Sequence, residues 1–144
     1  MHPLATIGYE TAALDAVIGK LKAAGVAVVI DVRAVASSRR AGFSKTLLAA
    51  SLEAEGIAYR HLRALGTPKP GRDAARKGHV AQMHAIYLDH LHDPEAQAQL
   101  AEAAEIAAAL PAALLCYEAD AAGCHRRIVA DRLRDVIGCD IVDL

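Results

Sequence analysis

The chain is 144 residues long and carries 16 lysines and arginines against 17 aspartates and glutamates, a net charge of −1. This length suits one domain with a substantial core, and the near-neutral charge excludes a protein drawn to nucleic acid or membrane by its overall field. Apolar residues make up 54% of the chain but include only four tyrosines and one phenylalanine, so aliphatic side chains must fill the core.

The N-terminus and the apolar runs indicate where the protein is expected to work. The first five residues, MHPLA, lack the basic segment and apolar core of a signal peptide, and no apolar run is long enough to span a bilayer. The three cysteines form no disulfide-framework pattern. We therefore expect a cytoplasmic protein without a membrane partner and with reduced thiols.

Strand and helix signals alternate along the first half of the chain. Short β-branched or alternating runs predict strands, and apolar residues at helical spacing predict helices. The predicted elements are a strand at 4–7, a helix from Leu14 to Gly25, a strand at 26–30, a helix from Ser44 to Gly56 and a strand at 57–62. Ser44 is the expected N-cap of the second helix.

The second half begins with a stretch, 65–72, that holds two prolines and two glycines and is predicted to be irregular. Asp93 and Pro94 then form a helix start, because aspartate suits the N-cap and proline suits the first turn. The other predicted elements are a helix carrying Val80, Met83, Tyr87 and Leu91 on one face, a strand at 112–115, a helix that ends at Gly138 and a strand at 140–142.

This alternation of strands and helices is typical of an α/β fold. We predict a single domain over residues 1–144, built as a three-layer sandwich with a mainly parallel sheet and helices on both faces. No internal repeat, low-complexity tail or domain boundary interrupts the pattern. In such sheets, ligands bind beyond the C-terminal ends of the strands.

Polar side chains lie at or just after the ends of the first four predicted strands. The opposite ends of the second, third and fourth strands follow glycine or proline instead. Because parallel strands end at the same edge of a sheet, we expect these polar side chains to meet in one functional cleft. They are Tyr9, Asp31, Arg33, His61 and Glu118.

Arginines near this edge predict an anion-binding site. Arg33, Arg39 and Arg126 can offer forked N–H donors to a phosphate or a carboxylate, and the N-terminus of the last helix adds backbone N–H groups. The alternative is structural: Arg33 pairs internally with Glu10 or Glu118, and Arg126 or Arg127 covers the surface.

Glu118 is the candidate general base, because a carboxylate in a loop above a strand can be partly desolvated and tuned upward. Asp31 could serve equally, or could cap the turn that follows it. Cys124 lies just before the last helix, where the dipole and arginines favour a thiolate that His125 could generate. Alternatively, Cys124 is a small packing residue.

Tyr9 and His61 are candidate ligand contacts with structural alternatives. Tyr9 could stack on a ring or donate its hydroxyl, or be a half-buried aromatic residue. His61 ends the third strand, and for a single histidine a structural role is at least as common.

Four residues have side-chain atoms of the kind that bind zinc. Cys116, Cys124, His125 and His61 carry such atoms, but no C-x-x-C pair or H-E-x-x-H helix sets their geometry. The phosphate-loop, dinucleotide and G-x-S-x-G motifs are also absent from the sequence. We therefore predict no metal ligands and assign no cofactor.

Together these motifs resemble a known family, the domain of unknown function 488. The matching pieces are Thr6-Ile-Gly-Tyr9, Asp31-Val-Arg33, Ser37-Ser-Arg39, Phe43-Ser44, Leu65-Gly66, Pro68, Leu115-Cys116-Tyr-Glu118 and Cys124-His125-Arg126. They occur in order over nearly the whole chain, which departs from the family's usual residues at Glu10, Ala36 and Thr67. The resemblance implies a small α/β fold with these motifs grouped, and it implies no particular reaction.

The leading functional hypothesis is an enzyme acting on a phosphate-bearing or nucleotide-like substrate. Arg33, Arg39 and Arg126 would hold the anion, Glu118 would act as base with Cys124 or His125 assisting, and a loop with Lys69 and Arg72 could cover the cleft. The alternative is a non-catalytic module that binds nucleic acid or a protein partner. The oligomeric state is left open.

Overall fold

Five parallel strands form the central sheet of the computed structural model, which describes residues 2–144. The strands are β1 (Leu4–Gly8), β2 (Val28–Asp31), β3 (Ala58–His61), β4 (Ala112–Cys116) and β5 (Ile141–Asp143), in the order β3-β2-β4-β1-β5. Every neighbouring pair is parallel, which confirms the predicted sheet and makes it wholly parallel. All C-terminal strand ends therefore lie at one edge.

Helices cover both faces of this sheet, as the sequence predicted. They are α1 (Leu14–Ala23), α2 (Lys45–Ala54), α3 (Lys69–Arg76), α4 (Val80–His90), α5 (Pro94–Ala109) and α6 (Arg126–Ile137). Helices α1 and α2 pack on one face, and the other four pack on the opposite face. Between residues 2 and 144, no helix combines the length and the apolar character needed to cross a membrane.

Two separate cores result from the alternation of side chains along the strands. Val29 of β2 and Leu115 of β4 point into the core beneath α1 and α2. Their neighbours Ile30 and Leu114 point into the opposite core, beneath the other helices. All four side chains are fully buried, because successive residues of a central strand face opposite sides of the sheet.

The prediction of an irregular stretch at 65–72 was wrong at its C-terminal end, because α3 already begins at Lys69. Pro70 lies in the first helical turn, where a missing N–H group leaves no intrahelical bond unmade. Gly71 is buried, and a Cβ there would press on the side chain of Thr67 at 2.5 Å. Both residues that predict a loop are therefore compatible with a helix here.

The helix ends at Ser44 and Gly138 lie where the sequence predicts them, but the Ser44 side chain does not make a capping hydrogen bond. Ser44 occupies the N-cap position of α2, but its side chain makes no capping bond. Its hydroxyl instead accepts from the N–H of Ser38 at 3.1 Å and donates to the Ser38 carbonyl at 3.2 Å. Gly138 ends α6 in the left-handed region, with φ of 70°, which a glycine adopts without strain.

Candidate functional site

An open cleft of about 810 Å³ lies at the C-terminal edge of the sheet. The segments that follow β1, β2 and β4 line it, together with residues of α3 and α4. Five of the residues singled out from the sequence line this cleft: Tyr9, Arg33, Arg39, Glu118 and His125. The other four do not line it: Asp31, His61, Cys124 and Arg126.

Arg33 is buried and forms its ion pair with Asp31, two residues earlier in the chain. Its Nε and Nη2 atoms donate to the two carboxylate oxygens at 2.8 and 2.7 Å, and Nη1 donates to the Tyr9 hydroxyl and the Phe43 carbonyl. Burial alone would lower the pKa of Arg33, but the hydrogen bonds and charge of Asp31 outweigh it and raise the pKa. These donors are directed into the protein.

This internal network holds the end of β2 in place. The hydroxyl of Tyr59 donates to Asp31, and Nε2 of His61 donates to the Arg33 carbonyl at 2.7 Å. Tyr9 stacks on Phe43 with 4.2 Å between ring centroids. The structural alternative for Arg33 is thus the one observed, although its partner is neither of the two carboxylates suggested from the sequence.

The cations directed to the cleft are instead Arg39, Arg72 and Arg76. Arg39 is exposed, and its guanidinium makes no hydrogen bond or ion pair with residues 2–144. Arg72 and Arg76 lie one helical turn apart on α3, which places both on one face. Arg72 donates to the Thr67 carbonyl at 2.9 Å, and Arg76 pairs with exposed Asp73 at 3.2 Å.

The helical spacing of Arg72 and Arg76 was the signal available in the sequence. The sequence already placed Arg72 in a loop over the cleft, and named Arg72 and Arg76 among the basic residues of the nucleic-acid alternative. The irregular stretch predicted at 65–72 hid the helical face that these two residues share. Once α3 begins at Lys69, the i,i+4 relation directs both guanidiniums to the strand-end edge. The positive charge in the lining of the cleft therefore comes from a helix as well as from a strand-end loop.

Glu118 is half-buried and lines the cleft. Its Oε2 atom lies 3.4 Å from the Sγ atom of Cys116. Burial is the main cause that raises the pKa of Glu118, and the charge of Glu10 adds to it, while the charge of Arg126 acts in the opposite direction. A carboxylate with a raised pKa suits a general base that works near neutral pH.

His125 is buried beside Tyr87, against which its ring lies edge-on at 5.1 Å. Its Nε2 atom donates to the Val32 carbonyl at 2.7 Å, since a carbonyl can only accept. The other ring nitrogen, Nδ1, faces the Sγ atom of Cys124 at 3.5 Å. Burial lowers the pKa of His125 to about 4, so the ring is neutral at pH 7.

Folding stability is expected to fall in acid because of His125. Its folded-state pKa of about 4 lies below the ordinary 6.5, so its contribution is present above about pH 6.5 and is lost as pH falls through 4. The shift corresponds to roughly 3 kcal/mol in free energy of unfolding. Urea unfolding followed by circular dichroism from pH 7 to pH 3.5 measures it.

The matched control is His125→Gln, whose amide N–H can still reach the Val32 carbonyl but does not titrate. The difference in unfolding free energy between this variant and the wild type should change by roughly the same 3 kcal/mol over the pH range. Two parallel stability curves would contradict the assignment of the acid sensitivity to His125.

Arg126 is also buried, and it points inward instead of into the cleft. Its Nη1 atom donates to the Cys116 sulfur at 3.0 Å and to the Glu118 carbonyl, and Nη2 donates to the Ala119 carbonyl at 3.1 Å. Its Nε atom has no partner, and it forms no ion pair with residues 2–144. Burial lowers the pKa of Arg126 despite the charges of nearby carboxylates.

The loop that Arg126 holds crosses closely over the end of β1. A Cβ atom at Gly8 would overlap the Glu118 carbonyl and lie 2.9 Å from Nη1 of Arg126. Glycine at position 8 therefore allows this loop to approach the sheet, and the approach sets where the Glu118 side chain emerges. Arg126 acts on the cleft through that loop.

The structure pairs Cys116 with Cys124 as a disulfide and leaves Cys139 free and buried. This corrects the expectation of three reduced thiols, which rested on spacing alone. The Cα atoms of the pair are 7.7 Å apart. Both cysteines are about 1% exposed, because one ends a central strand and the other lies under the start of α6.

Cys116, Glu118 and Cys124 together offer three ligand atoms within 4.8 Å of one another. Two observations oppose a cation at this position. The two sulfurs are bonded to each other, and the guanidinium of Arg126 already places positive charge 3.0 Å from the Cys116 sulfur. We therefore assign no metal ligands here, and the arrangement is better described as a disulfide beside a buried cation.

Comparison with known proteins supports the resemblance seen in the motifs. A family described as "Domain of unknown function DUF488" matches residues 13–133, which include β2 to β4 and most of α6. No curated protein matches the chain, and no solved structure matches it. The match covers well over half of the 144 residues and includes the segments after β2 and β4 that line the cleft. The chain belongs to the family of the domain of unknown function DUF488.

Proposed function

We propose that the protein is an enzyme that binds a phosphate-bearing or nucleotide-like substrate in the strand-end cleft and acts on it with Glu118 as general base. The observation that carries the proposal is that three arginines and one half-buried carboxylate line the same cleft of about 810 Å³. A cavity of this size suits a small-molecule ligand. Its position at the strand ends is where α/β sheets bind ligands.

Arg39, Arg72 and Arg76 are the proposed anion-binding residues. Arg39 supports this role most directly, because its guanidinium has no partner within residues 2–144. Forked guanidinium donors match the geometry of phosphate oxygens. Arg33 and Arg126, which the sequence suggested for this role, spend their donors on Asp31 and on the loop of Glu118, so we leave them out of the anion site.

Glu118 is the group best suited to move a proton in this cleft. Its carboxylate lines the cleft, and burial raises its pKa toward the working range of a base. His125 commits its Nε2 proton to the Val32 carbonyl. Cys124 is bonded to Cys116 and does not line the cleft, so neither residue is given the assisting role suggested from the sequence.

Nucleic-acid binding is the second candidate function. The basic residues of α3 are the observation that favours it. This short helix carries Lys69, Arg72 and Arg76 on or near the cleft, with Lys77 directly after it. A surface that neutralises phosphates loses affinity steeply with salt, which separates it from a small-molecule site. The cytoplasmic location expected from the sequence remains a prediction under either function.

The test is a thermal-shift and calorimetry panel on the full chain. The probes are inorganic phosphate, AMP, ATP and a short single-stranded DNA, each at low and high salt. A ligand a hundredfold above its Kd adds about 2.7 kcal/mol of stability. We expect a nucleotide shift that survives high salt, and Arg39→Ala should weaken that nucleotide's binding about tenfold, the loss of one charged contact.

Arg134→Ala is the matched control, because Arg134 lies on α6 outside the cleft lining and pairs with surface carboxylates. It should bind like the wild type. A shift with DNA alone that vanishes at high salt would replace the enzyme proposal with nucleic-acid binding. Equal affinities in Arg39→Ala and the wild type, or no shift with any probe, would contradict an anion site in this cleft.

A further inference from the structure

We propose that Cys116 and Cys124 form a redox-active pair, which exchanges between the disulfide and two thiols by reaction with small thiols and small disulfides. The proposal rests on the contacts of the pair with Arg126 and on the position of Cys116 in the lining of the cleft. It does not depend on the substrate or the reaction proposed above, and its readout is the oxidation state of the two sulfurs.

A buried positive charge, the guanidinium of Arg126, lies next to the cysteine pair. Arg126 is 1% exposed and forms no ion pair with a carboxylate of residues 2–144, yet its Nη1 atom points at the Cys116 sulfur at 3.0 Å. A disulfide sulfur is a weak, neutral acceptor, whereas a thiolate is an anion. Reduction therefore supplies the buried guanidinium with the negative partner that the disulfide cannot offer.

One hydrogen-bond donor and one acceptor lie beside the Cys124 sulfur. The backbone N–H of Arg126, the first residue of α6, points at the Cys124 sulfur at 3.5 Å. Nδ1 of His125 faces the same sulfur at 3.5 Å, with its lone pair available because Nε2 carries the proton. The site can thus hold Cys124 as a thiolate through the N–H, or as a thiol that donates to His125.

Access to the pair is one-sided. Both cysteines are about 1% exposed, but Cys116 lines the cleft and Cys124 does not, so the Cys116 sulfur is the nearer one to a thiolate that enters the cleft. Glu118 lies 3.4 Å from that sulfur and is placed to take up a proton when Cys116 ionises. This order assigns Cys116 as the sulfur that exchanges and Cys124 as the sulfur that resolves.

The electron balance of the reduction is complete with two equivalents of a small thiolate, RS⁻. The first attacks the Cys116 sulfur, breaks the protein disulfide and releases Cys124 as a thiolate. The second attacks the sulfur of the attached R group, forms R–S–S–R and releases Cys116 as a thiolate, which Arg126 receives. Two electrons pass from the small thiols to the protein, and the same steps in reverse restore the disulfide.

The test equilibrates the native full-length protein in mixtures of reduced and oxidised glutathione. Acid quenching, alkylation in denaturant and intact mass spectrometry then count the thiols, with Cys139 as the internal reference because it is free in both states. We expect reversible conversion between one and three alkylated thiols without loss of the circular dichroism spectrum. Cys124→Ser should accumulate a mixed disulfide between glutathione and Cys116.

Arg126→Gln tests the electrostatic step, and Arg134→Gln on the same helix is its control. Loss of the guanidinium should shift the equilibrium at least about tenfold toward the disulfide, the effect of one lost charged contact on a thiolate, and the control should not move it. If Arg126→Gln does not fold, the mixed disulfide of Cys124→Ser still decides the proposal. No reduction without unfolding, a zinc ion retained on the native reduced protein, or equal shifts in both arginine variants would overturn it.

Discussion

Replacing Asp31 by alanine is expected to lower the free energy of unfolding by about 3–5 kcal/mol, the cost of leaving one partner of a buried ion pair alone. Asp31 is fully buried and accepts two hydrogen bonds from the Arg33 guanidinium. Without it, the buried cation keeps only the Tyr9 hydroxyl and the Phe43 carbonyl, and the Tyr59 hydroxyl loses its acceptor. Because the chain has no tryptophan, urea unfolding is best followed by circular dichroism.

Glu55→Ala is the control for this prediction, because it removes an ion pair of similar length on the surface. Lys22 and Glu55 are 2.8 Å apart, with side chains 54% and 42% exposed, and such pairs contribute about 0–1 kcal/mol. A loss in Asp31→Ala no greater than that in Glu55→Ala would show that the Asp31–Arg33 network does not hold the strand end.

Glu118→Gln is expected to reduce kcat by about 10²–10⁴, the usual contribution of a general base, with little change in affinity. Glutamine keeps the size of the side chain but cannot take up a proton. The test uses the nucleotide that binds in the panel, with kcat and KM measured separately. It therefore assumes the proposed function, and a loss of kcat at constant KM would locate the effect in the chemical step.

The pH dependence of the wild-type reaction gives a second readout. A base must be ionised, so kcat should rise with pH through the pKa of Glu118, which burial raises above its ordinary 4.5. Glu118→Gln should lack this rise. Glu10→Gln is the comparison variant, since Glu10 is another carboxylate that lines the cleft. Equal losses of kcat in the two variants would remove Glu118 from the base role.

The fold was accessible from the sequence because its signals are local. Residues 26–30 are apolar and mostly β-branched, and the helix that ends at Gly138 needs only apolar spacing and one glycine to be recognised. Alternation of such elements points to a parallel sheet. The start of α3 was missed because Pro70 and Gly71 usually break helices, and only their position in the first turn makes them compatible with one.

Polar residues follow the strands in the sequence, and a parallel sheet brings them to one edge. Tyr9, Arg33, Arg39 and Glu118 all line the resulting cleft for that reason. What each side chain does there was decided only by the tertiary structure. Hydrogen bonds and ion pairs act over a few ångströms, and strand order and loop paths set those distances without leaving a short-range pattern in the chain.

Two arginines show most clearly that the sequence pattern does not reveal side-chain contacts. Arg33 and Arg126 have the composition and position of anion ligands, yet one turns to Asp31 and the other to Cys116 and the loop of Glu118. The pairing of Cys116 with Cys124 likewise appears only when the end of β4 meets the start of α6. The sequence determines which groups reach the sheet edge, whereas burial and contact geometry decide which of them remain free to meet a ligand.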